Sequence, residues 1–378
     1  MPQTITRRDV LQGLLATGAA LGIDWPALAQ GEQVIPFTDL PGPARGRGAP
    51  PTTLETFFTP NEAFYNVQHY PVPPKVDPAA YRLRVSGLVE RPIELTLADL
   101  KKRARLEQVV GFECGGNNNA RGNPLMGNAK WAGTSVAAIL KECRPRATAR
   151  EAVFFSLDEG EEEIIHGGAP VKVKQNFARG LAMEDALRAE VMLAWEMNGV
   201  DLPHERGAPV RLIVPGWYGV ANVKWVTQIH LQDSRFVGRF MGRDYVTLRG
   251  EDIGGQMRWN ESWVSRIRLK SAIARLTSTG ASFKAYGFAL TDGTPLKTIE
   301  VKVDDGPWKP AVLDKRNTTY SWQLFSYEWA GLAPGDHTIV SRATDTRGLV
   351  QPTEADLEHK KTRWENNGQF VRKFTVTA

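Results

Sequence analysis

The amino-acid sequence predicts two folded parts, a mixed α+β domain over residues 54–260 and a β-sandwich over residues 261–378. A chain of 378 residues exceeds what one hydrophobic core usually serves. In the first part helical and strand patterns alternate irregularly, and no dinucleotide-binding glycine pattern follows a predicted strand, which argues against a doubly wound sheet. From about Ile267 onward, short β segments separated by turn residues replace the helical periodicity.

The predicted elements of the first part are short. Residues 81–85 alternate in polarity like a strand, and residues 96–99 begin a helix with a capping threonine and an acidic third position. Residues 135–143 and 181–188 predict two further short helices. The part should therefore begin with a strand and continue with helices of two or three turns.

Three further segments predict strands. Residues 191–202 contain the Asn198-Gly199 pair between apolar flanks, which is a favoured two-residue hairpin turn. Residues 210–214 and 223–231 are also apolar and strand-like. In the second part, the spacing of the β segments predicts a sandwich of the immunoglobulin type, which we interpret as a structural or dimerisation module because it has no cysteine and no histidine cluster.

Residues 1–29 are predicted to be an export signal outside the fold. Arg7 and Arg8 precede an apolar stretch at 14–23, and small residues follow, as in a signal peptide. The paired arginines match the twin-arginine signal, which predicts a soluble protein exported in folded form to the periplasm. The apolar stretch is too short for a convincing membrane span. Residues 30–53, rich in Gly, Pro and Arg, predict an extended arm or linker.

The charge balance excludes one class of partner. The formal net charge is +5, but Lys and Arg are scattered along the chain instead of forming a basic stripe. Nucleic-acid binding is therefore not expected. A modest attraction for anionic substrates is compatible with the charge.

Cys114 is the strongest candidate for a catalytic or metal-binding residue. It follows an apolar strand-like run and precedes two glycines and three asparagines within residues 109–122. Such a turn could hold a reactive thiolate or a soft metal ligand, and an unreactive cysteine is an equal alternative. A bridge to Cys143 and a nucleophile paired with a histidine also remain open, whereas zinc is disfavoured because no close cysteine pair or HExxH pattern occurs.

Six segments together resemble the sulfite-oxidase family of molybdopterin oxidoreductases. The Cys-Gly-Gly-Asn of 114–117 and the segment 127–140 resemble the family's molybdenum-ligating loop, and further segments agree in order, namely 64–73, 193–203, 207–225 and 242–250. The C-terminal part resembles the family's dimerisation domain. The resemblance implies a molybdopterin-binding domain, molybdenum with molybdopterin as cofactor, and a homodimer.

The resemblance also assigns roles to individual residues. Cys114 would supply the protein thiolate to molybdenum, and Tyr245 would lie beside the metal and help to move protons. Arg211 and Lys224 would hold the anionic pterin, and His69 would hydrogen-bond to it.

Several positions depart from the family pattern. Val67 and Asn119 stand where sulfite-oxidising members have arginines, so two charges that would bind a small dianion are missing. Arg206 stands where a histidine is expected. It is predicted to contact the cofactor, as is Asn117, and either Arg206 or Arg121 could replace a missing charge.

The resemblance implies an oxygen-atom transfer that converts sulfite to sulfate. No Cys-x-x-Cys-His haem site occurs in the sequence, so a c-type cytochrome or another external acceptor is expected. Because Val67 and Asn119 replace arginines, a sulfoxide or an organic sulfur compound is an alternative substrate. An exported binding or structural protein without a cofactor is the alternative from a different class.

Overall fold

The computed structural model describes residues 31–39, 56–117 and 125–377. The predicted export signal, most of the predicted arm, Asn119 and Arg121 lie outside the described residues. Within the described part, no helix is long and apolar enough to cross a membrane.

The described chain consists mainly of strands. They are β1 (Gln33–Val34), β2 (Arg82–Gly87), β3 (Ile93–Thr96), β4 (Leu106–Glu113), β5 (Met126–Ser135), β6 (Glu151–His166), β7 (Ala169–Ala182), β8 (Met192–Met197), β9 (Val200–Asp201), β10 (Arg211–Ile213), β11 (Val226–Gln232), β12 (Val246–Asp252), β13 (Met257–Trp263), β14 (Lys270–Thr279), β15 (Ser282–Leu290), β16 (Leu296–Val303), β17 (Lys309–Pro310), β18 (Val312–Leu313), β19 (Gln323–Ala330), β20 (Gly335–Asp345) and β21 (Arg372–Val376). The α-helices are α1 (Leu97–Lys101), α2 (Val136–Cys143), α3 (Met183–Ala186) and α4 (Arg239–Gly242), and single 3₁₀ turns cover His204–Arg206, Gly219–Ala221 and Ala355–Leu357.

Two sheets form the first part of the fold. One has the strand order β10-β8-β5-β4, with β9 paired to β8, and all its pairs are antiparallel. The other has the order β3-β2-β11-β6-β7, in which only the β11–β2 pair is parallel. Both sheets contribute to one large hydrophobic cluster. The antiparallel hairpin β12–β13 then leads into the second part.

The second part is a pair of antiparallel sheets with the orders β1-β14-β15-β19-β18 and β17-β16-β20-β21. A second hydrophobic cluster lies between them. The first of these sheets is buried on both faces: Phe288 and Leu324 join the large cluster of the first part, whereas the adjacent Ala289 and Phe325 join the cluster inside the sandwich. This sheet therefore packs against the hydrophobic clusters of both parts.

Several sequence predictions are confirmed. Thr96 caps α1 in a full capping box with Asp99, and Asn198 and Gly199 both take left-handed conformations in the turn between β8 and β9. The helix predicted at 181–188 is shorter, because β7 continues to Ala182.

Other predictions need adjustment. Residues 33–34 of the predicted arm form β1, an edge strand of the sandwich. The helices among the described residues have only four to eight residues, so the label of a mixed α+β domain is not confirmed.

Candidate functional site

A cavity lies where several segments of the first part meet. Its walls come from the segment that precedes β2, the turn after β4, strands β6 and β7, strand β10 with the stretch that follows it, and the residue before β12. The lining residues are Tyr65, Asn66, Val67, Gln68, His69, Cys114, Asp158, Phe177, Arg211, Gly219, Val220, Asn222, Lys224 and Tyr245. The cavity thus brings together five of the seven residues that the sequence predicted for the site.

Cys114 lies in a tight turn at the end of β4. Its backbone N–H donates to the Leu125 carbonyl over 2.9 Å, and its own carbonyl accepts from the Asn117 N–H over 2.8 Å. Cys114 and Cys143 are both free thiols, so no bridge joins them. Burial raises the pKa of the Cys114 thiol, while hydrogen bonds from the Gly116 backbone and the Tyr245 hydroxyl act in the opposite direction. These donors can stabilise a thiolate at the cavity wall.

The two glycines after Cys114 are explained by close packing. A Cβ atom on Gly115 would lie 2.8 Å from a Val264 methyl group, and one on Gly116 would lie 2.9 Å from the Trp364 ring. Both glycines thus permit a close approach of residues from the C-terminal part of the chain.

Tyr245 and His69 form a hydrogen-bonded pair. The Tyr245 hydroxyl lies 3.1 Å from His69 Nε2, and the Tyr245 ring stacks on Trp364 with centroids 4.2 Å apart. Burial, followed by the charge of Cys114, raises the pKa of Tyr245, so its hydroxyl keeps its proton. Burial and the nearby Lys224 lower the pKa of His69 to about 4, so its imidazole is neutral near pH 7.

Arg211 is a buried cation without a carboxylate partner among the described residues. Its guanidinium lies 5.4 Å from the Phe112 ring centroid and 5.3 Å from that of Trp131. Nη1 donates to the Arg206 carbonyl over 3.1 Å, whereas the buried Nε has no hydrogen-bond partner among the residues that the structure describes. Burial lowers the pKa of Arg211 to about 10. An unpaired buried donor on a cation is a site that an anion would satisfy.

Lys224 adds a second cation. Its Nζ donates to Asn66 Oδ1 over 3.0 Å, and no carboxylate of the described chain lies within 4 Å of it. Burial, followed by repulsion from Arg211, lowers the pKa of Lys224 to about 7. Asp158, which the sequence reasoning missed, lines the same cavity, and burial raises its pKa. The cavity consequently favours an anionic ligand.

Arg206 and Asn117 do not line the cavity. The three guanidinium nitrogens of Arg206 donate to the backbone carbonyls of Asn61, Glu62 and Tyr65, so this side chain fixes the segment that leads into the cavity. Asn117 donates to Glu113 over 2.9 Å and accepts from the Leu125 N–H over 3.3 Å. Arg206 and Asn117, which were predicted to bind the cofactor, thus form hydrogen bonds to the segments that make up the walls of the cavity.

The residues that line the cavity fit a metal ion that is bound within an anionic organic cofactor. Within the described residues, no group of three or more His, Cys, Asp or Glu could hold a metal ion. A metal beside Cys114 would thus receive one soft thiolate from the protein and its other ligands from the cofactor. The unpaired Nε of Arg211 and the ammonium of Lys224 match the phosphate of molybdopterin.

Comparisons with known proteins agree with this site. Residues 69–240 match the oxidoreductase molybdopterin binding domain family. Sulfite oxidase of Gallus gallus is 29% identical over 338 residues, covering 80% of this chain and 70% of that protein. Mitochondrial sulfite oxidase of Rattus norvegicus is 27% identical, covering 80% and 59%. Sulfite oxidase of Arabidopsis thaliana is 26% identical, covering 80% and 84%.

One solved structure shows the same fold. The crystal structure of the sulfane dehydrogenase SoxCD from Paracoccus pantotrophus superimposes with a TM-score of 0.73 at 22% identity, covering 91% of each chain. Fold and site together define a molybdopterin-dependent oxidoreductase, with molybdenum and molybdopterin as its cofactor. More particularly, residues 69–240 match the molybdopterin binding domain and the chain is similar to sulfite oxidases over 80% of its length, in agreement with the resemblance predicted from the sequence.

Proposed function

We propose that this protein oxidises a small sulfur compound by two-electron oxygen-atom transfer, with sulfite to sulfate as the first candidate reaction. The observation that carries the proposal is a single cavity that joins Cys114, Tyr245 and His69 to two cations without carboxylate partners. The named activities of the relatives support the same chemistry.

The proposed roles follow from the chemistry of each side chain. Cys114 would bind molybdenum through its thiolate, while Arg211 and Lys224 would hold the phosphate of the cofactor. The bound cofactor supplies two-electron redox and oxygen-atom transfer chemistry. His69, neutral near pH 7, offers one ring nitrogen as acceptor and the other as donor, so it can bind the pterin or Tyr245 without adding charge.

Tyr245 would act on protons at the substrate. Its hydroxyl lines the cavity between Cys114 and His69, and it remains protonated because burial raises its pKa. A phenol in this position can donate to a substrate oxygen, while its own oxygen can accept a hydrogen bond from His69 Nε2. This arrangement suits the oxidation of a sulfur oxyanion, whose oxygens accept hydrogen bonds.

A less charged sulfur substrate is the second candidate. Val67 lines the cavity at a position where the family resemblance places an arginine. An apolar group there favours a sulfoxide or an organic sulfur compound over a dianion. Arg206 does not supply the missing charge, because its guanidinium is occupied with backbone carbonyls away from the cavity.

The first experiment measures molybdenum per chain and then steady-state sulfite oxidation with cytochrome c or an artificial acceptor. Stoichiometric molybdenum with sulfite turnover is the expected result. A purified protein that lacks molybdenum after native export would refute the proposal. Full occupancy without sulfite turnover would exclude sulfite and leave the second candidate.

A substitution at Val67 tests the role of charge. Val67→Arg should lower the KM for sulfite by about tenfold or more, because one charge-assisted contact contributes roughly 1.5–3 kcal/mol. Val67→Leu is the control for shape, and its KM should stay near that of the unchanged enzyme. Equal KM values for the two variants would mean that the missing charge does not limit sulfite binding.

We further propose the finer features that the sequence predicts. These are export by the twin-arginine route to the periplasm, a c-type cytochrome as electron acceptor, and a homodimer through a C-terminal sandwich of the immunoglobulin type. The paired Arg7 and Arg8 support the first. Cell fractionation, reduction kinetics with cytochrome c, and sedimentation equilibrium would test the export, the acceptor and the dimer, respectively.

A further inference from the structure

A buried ion pair links the turn of Cys114 to the second part of the chain. Glu113, the residue before Cys114, accepts a hydrogen bond from Lys270 Nζ over 3.0 Å. Lys270 begins β14, and its side chain is fully buried, with an exposed fraction of 0% against 2% for Glu113. The same oxygen, Glu113 Oε2, accepts from Asn117 Nδ2 over 2.9 Å. One carboxylate therefore connects both sides of the turn to the sandwich.

Two more contacts from the second part reach the same turn. The Glu365 backbone N–H donates to the Gly115 carbonyl over 2.7 Å. Trp364 packs against Gly116 and stacks on Tyr245. The residues from Glu113 to Gly116 are thus held by contacts from the C-terminal part of the chain.

A contribution to stability alone does not explain the pair. Removing two charges from water is so unfavourable that well-packed apolar residues of similar volume often serve a fold equally well or better. The ion pair instead fixes the geometry of the turn, because the buried Glu113 carboxylate must keep its two hydrogen-bond donors, Lys270 and Asn117, in place. The position that it fixes is adjacent to Cys114.

We propose that Lys270 is a positioning residue for the Cys114 thiolate, acting through Glu113. The sandwich would then be part of the framework of the active site as well as a structural module. The inference rests on the proposed role of Cys114 as the metal ligand. It concerns the placement of the thiolate and involves no proton or electron transfer by Lys270 itself.

The decisive variant is the double substitution Glu113→Met with Lys270→Met, made in the full-length, molybdenum-loaded enzyme. It removes both charges together, so no unpaired buried charge remains and the net charge is unchanged. Ser271→Ala is the matched control for stability, because Ser271 is the next buried residue of β14 and bonds Gln351 and Ser341 instead.

Two readouts separate placement from stability. X-ray absorption counts the sulfur neighbours of molybdenum, and peptide mass spectrometry follows the alkylation of Cys114 and Cys143 by iodoacetamide. Cys143 is buried in α2, so its alkylation reports general opening of the fold.

In the double variant we expect fewer sulfur neighbours and Cys114 alkylation faster by about tenfold or more, with Cys143 unchanged. Ser271→Ala should stay within about twofold of the unchanged enzyme. Protection of Cys114 in the double variant, or equal acceleration of both cysteines, would overturn the inference. If the unchanged enzyme itself lacks a bond from protein sulfur to molybdenum, the proposed function fails instead.

Discussion

Arg211 gives the most direct test of how the cavity binds its cofactor. Burial lowers its pKa well below the usual value, to about 10, which corresponds to roughly 3 kcal/mol of disfavoured charge at pH 7. Its two ring contacts and its hydrogen bond to the Arg206 carbonyl together stabilise the folded state by about 2 kcal/mol. Replacing Arg211 by Met should therefore leave the cofactor-free protein about as stable as before, or slightly more stable.

The loaded protein should respond in the opposite way. A charge-assisted contact to phosphate contributes roughly 1.5–3 kcal/mol, so Arg211→Met should weaken retention of the cofactor by about tenfold to a hundredfold. The assay is molybdenum content after prolonged dialysis, together with thermal unfolding of cofactor-free protein from a host that makes no molybdopterin.

Arg179 is the matched control. It is also fully buried with a pKa lowered to about 10, but its terminal nitrogens donate to the carbonyls of Phe240 and Val264. Because both variants relieve the same disfavoured charge, Arg179→Met should leave the cofactor-free protein less stable than Arg211→Met by roughly 1–3 kcal/mol, since two buried carbonyls lose their donor instead of one. If Arg211→Met destabilises the cofactor-free protein as strongly while molybdenum is retained, Arg211 is a structural residue and the reasoning is wrong.

The remaining predictions concern Lys224, Cys114 and Tyr245. The pKa of Lys224 is lowered to about 7 in the folded state, so above pH 7 the unfolded chain binds more protons than the folded chain does. Through this residue, the free energy of unfolding of the cofactor-free protein should rise as the pH rises from 7 to 9. Urea unfolding of Lys224→Met should show a smaller rise, and an identical pH dependence would contradict the lowered pKa. Cys114→Ser should abolish molybdenum-dependent turnover with little loss of thermal stability, since Cys114 forms no disulfide; full turnover would remove the ligand role. Tyr245→Phe should retain molybdenum but lower kcat by about a hundredfold, as measured by stopped-flow reduction, and an unchanged kcat would exclude Tyr245 from proton transfer.

The parts of the fold that local sequence determines were predictable. Asn198-Gly199 specifies its turn because both residues tolerate left-handed backbone conformations, and Thr96 with Asp99 specifies the start of α1. Cys114 was identifiable for the same reason, because the glycines and asparagines that surround it are adjacent in sequence.

Arg206 shows where reasoning from charge fails. A cation beside a binding segment is equally compatible with a contact to the cofactor and with a contact to backbone carbonyls. The structure places its three donors on the carbonyls of residues 61, 62 and 65. The choice between these two contacts depends on where the backbone of residues 61–65 runs relative to Arg206. No local pattern in the sequence predicts that path.

The contacts between the two parts were not predictable at all. Glu113 and Lys270 are 157 residues apart, and Tyr245 meets Trp364 across a similarly long separation. Each residue on its own reads as an ordinary strand or loop residue. Their importance emerges only when the sheet that contains β14 packs against the core of the first part.

These long-range contacts bear on the proposed role of Cys114 as the metal ligand. A structural metal site with several protein ligands fixes each ligand partly through the others. In the proposed site the described residues would supply a single thiolate, so no second protein ligand would restrain the position of Cys114. The turn would therefore need to be rigid before the metal binds. A turn at the end of one strand lacks such rigidity by itself, whereas a turn held by Lys270, Trp364 and Glu365 from a buried sheet has it.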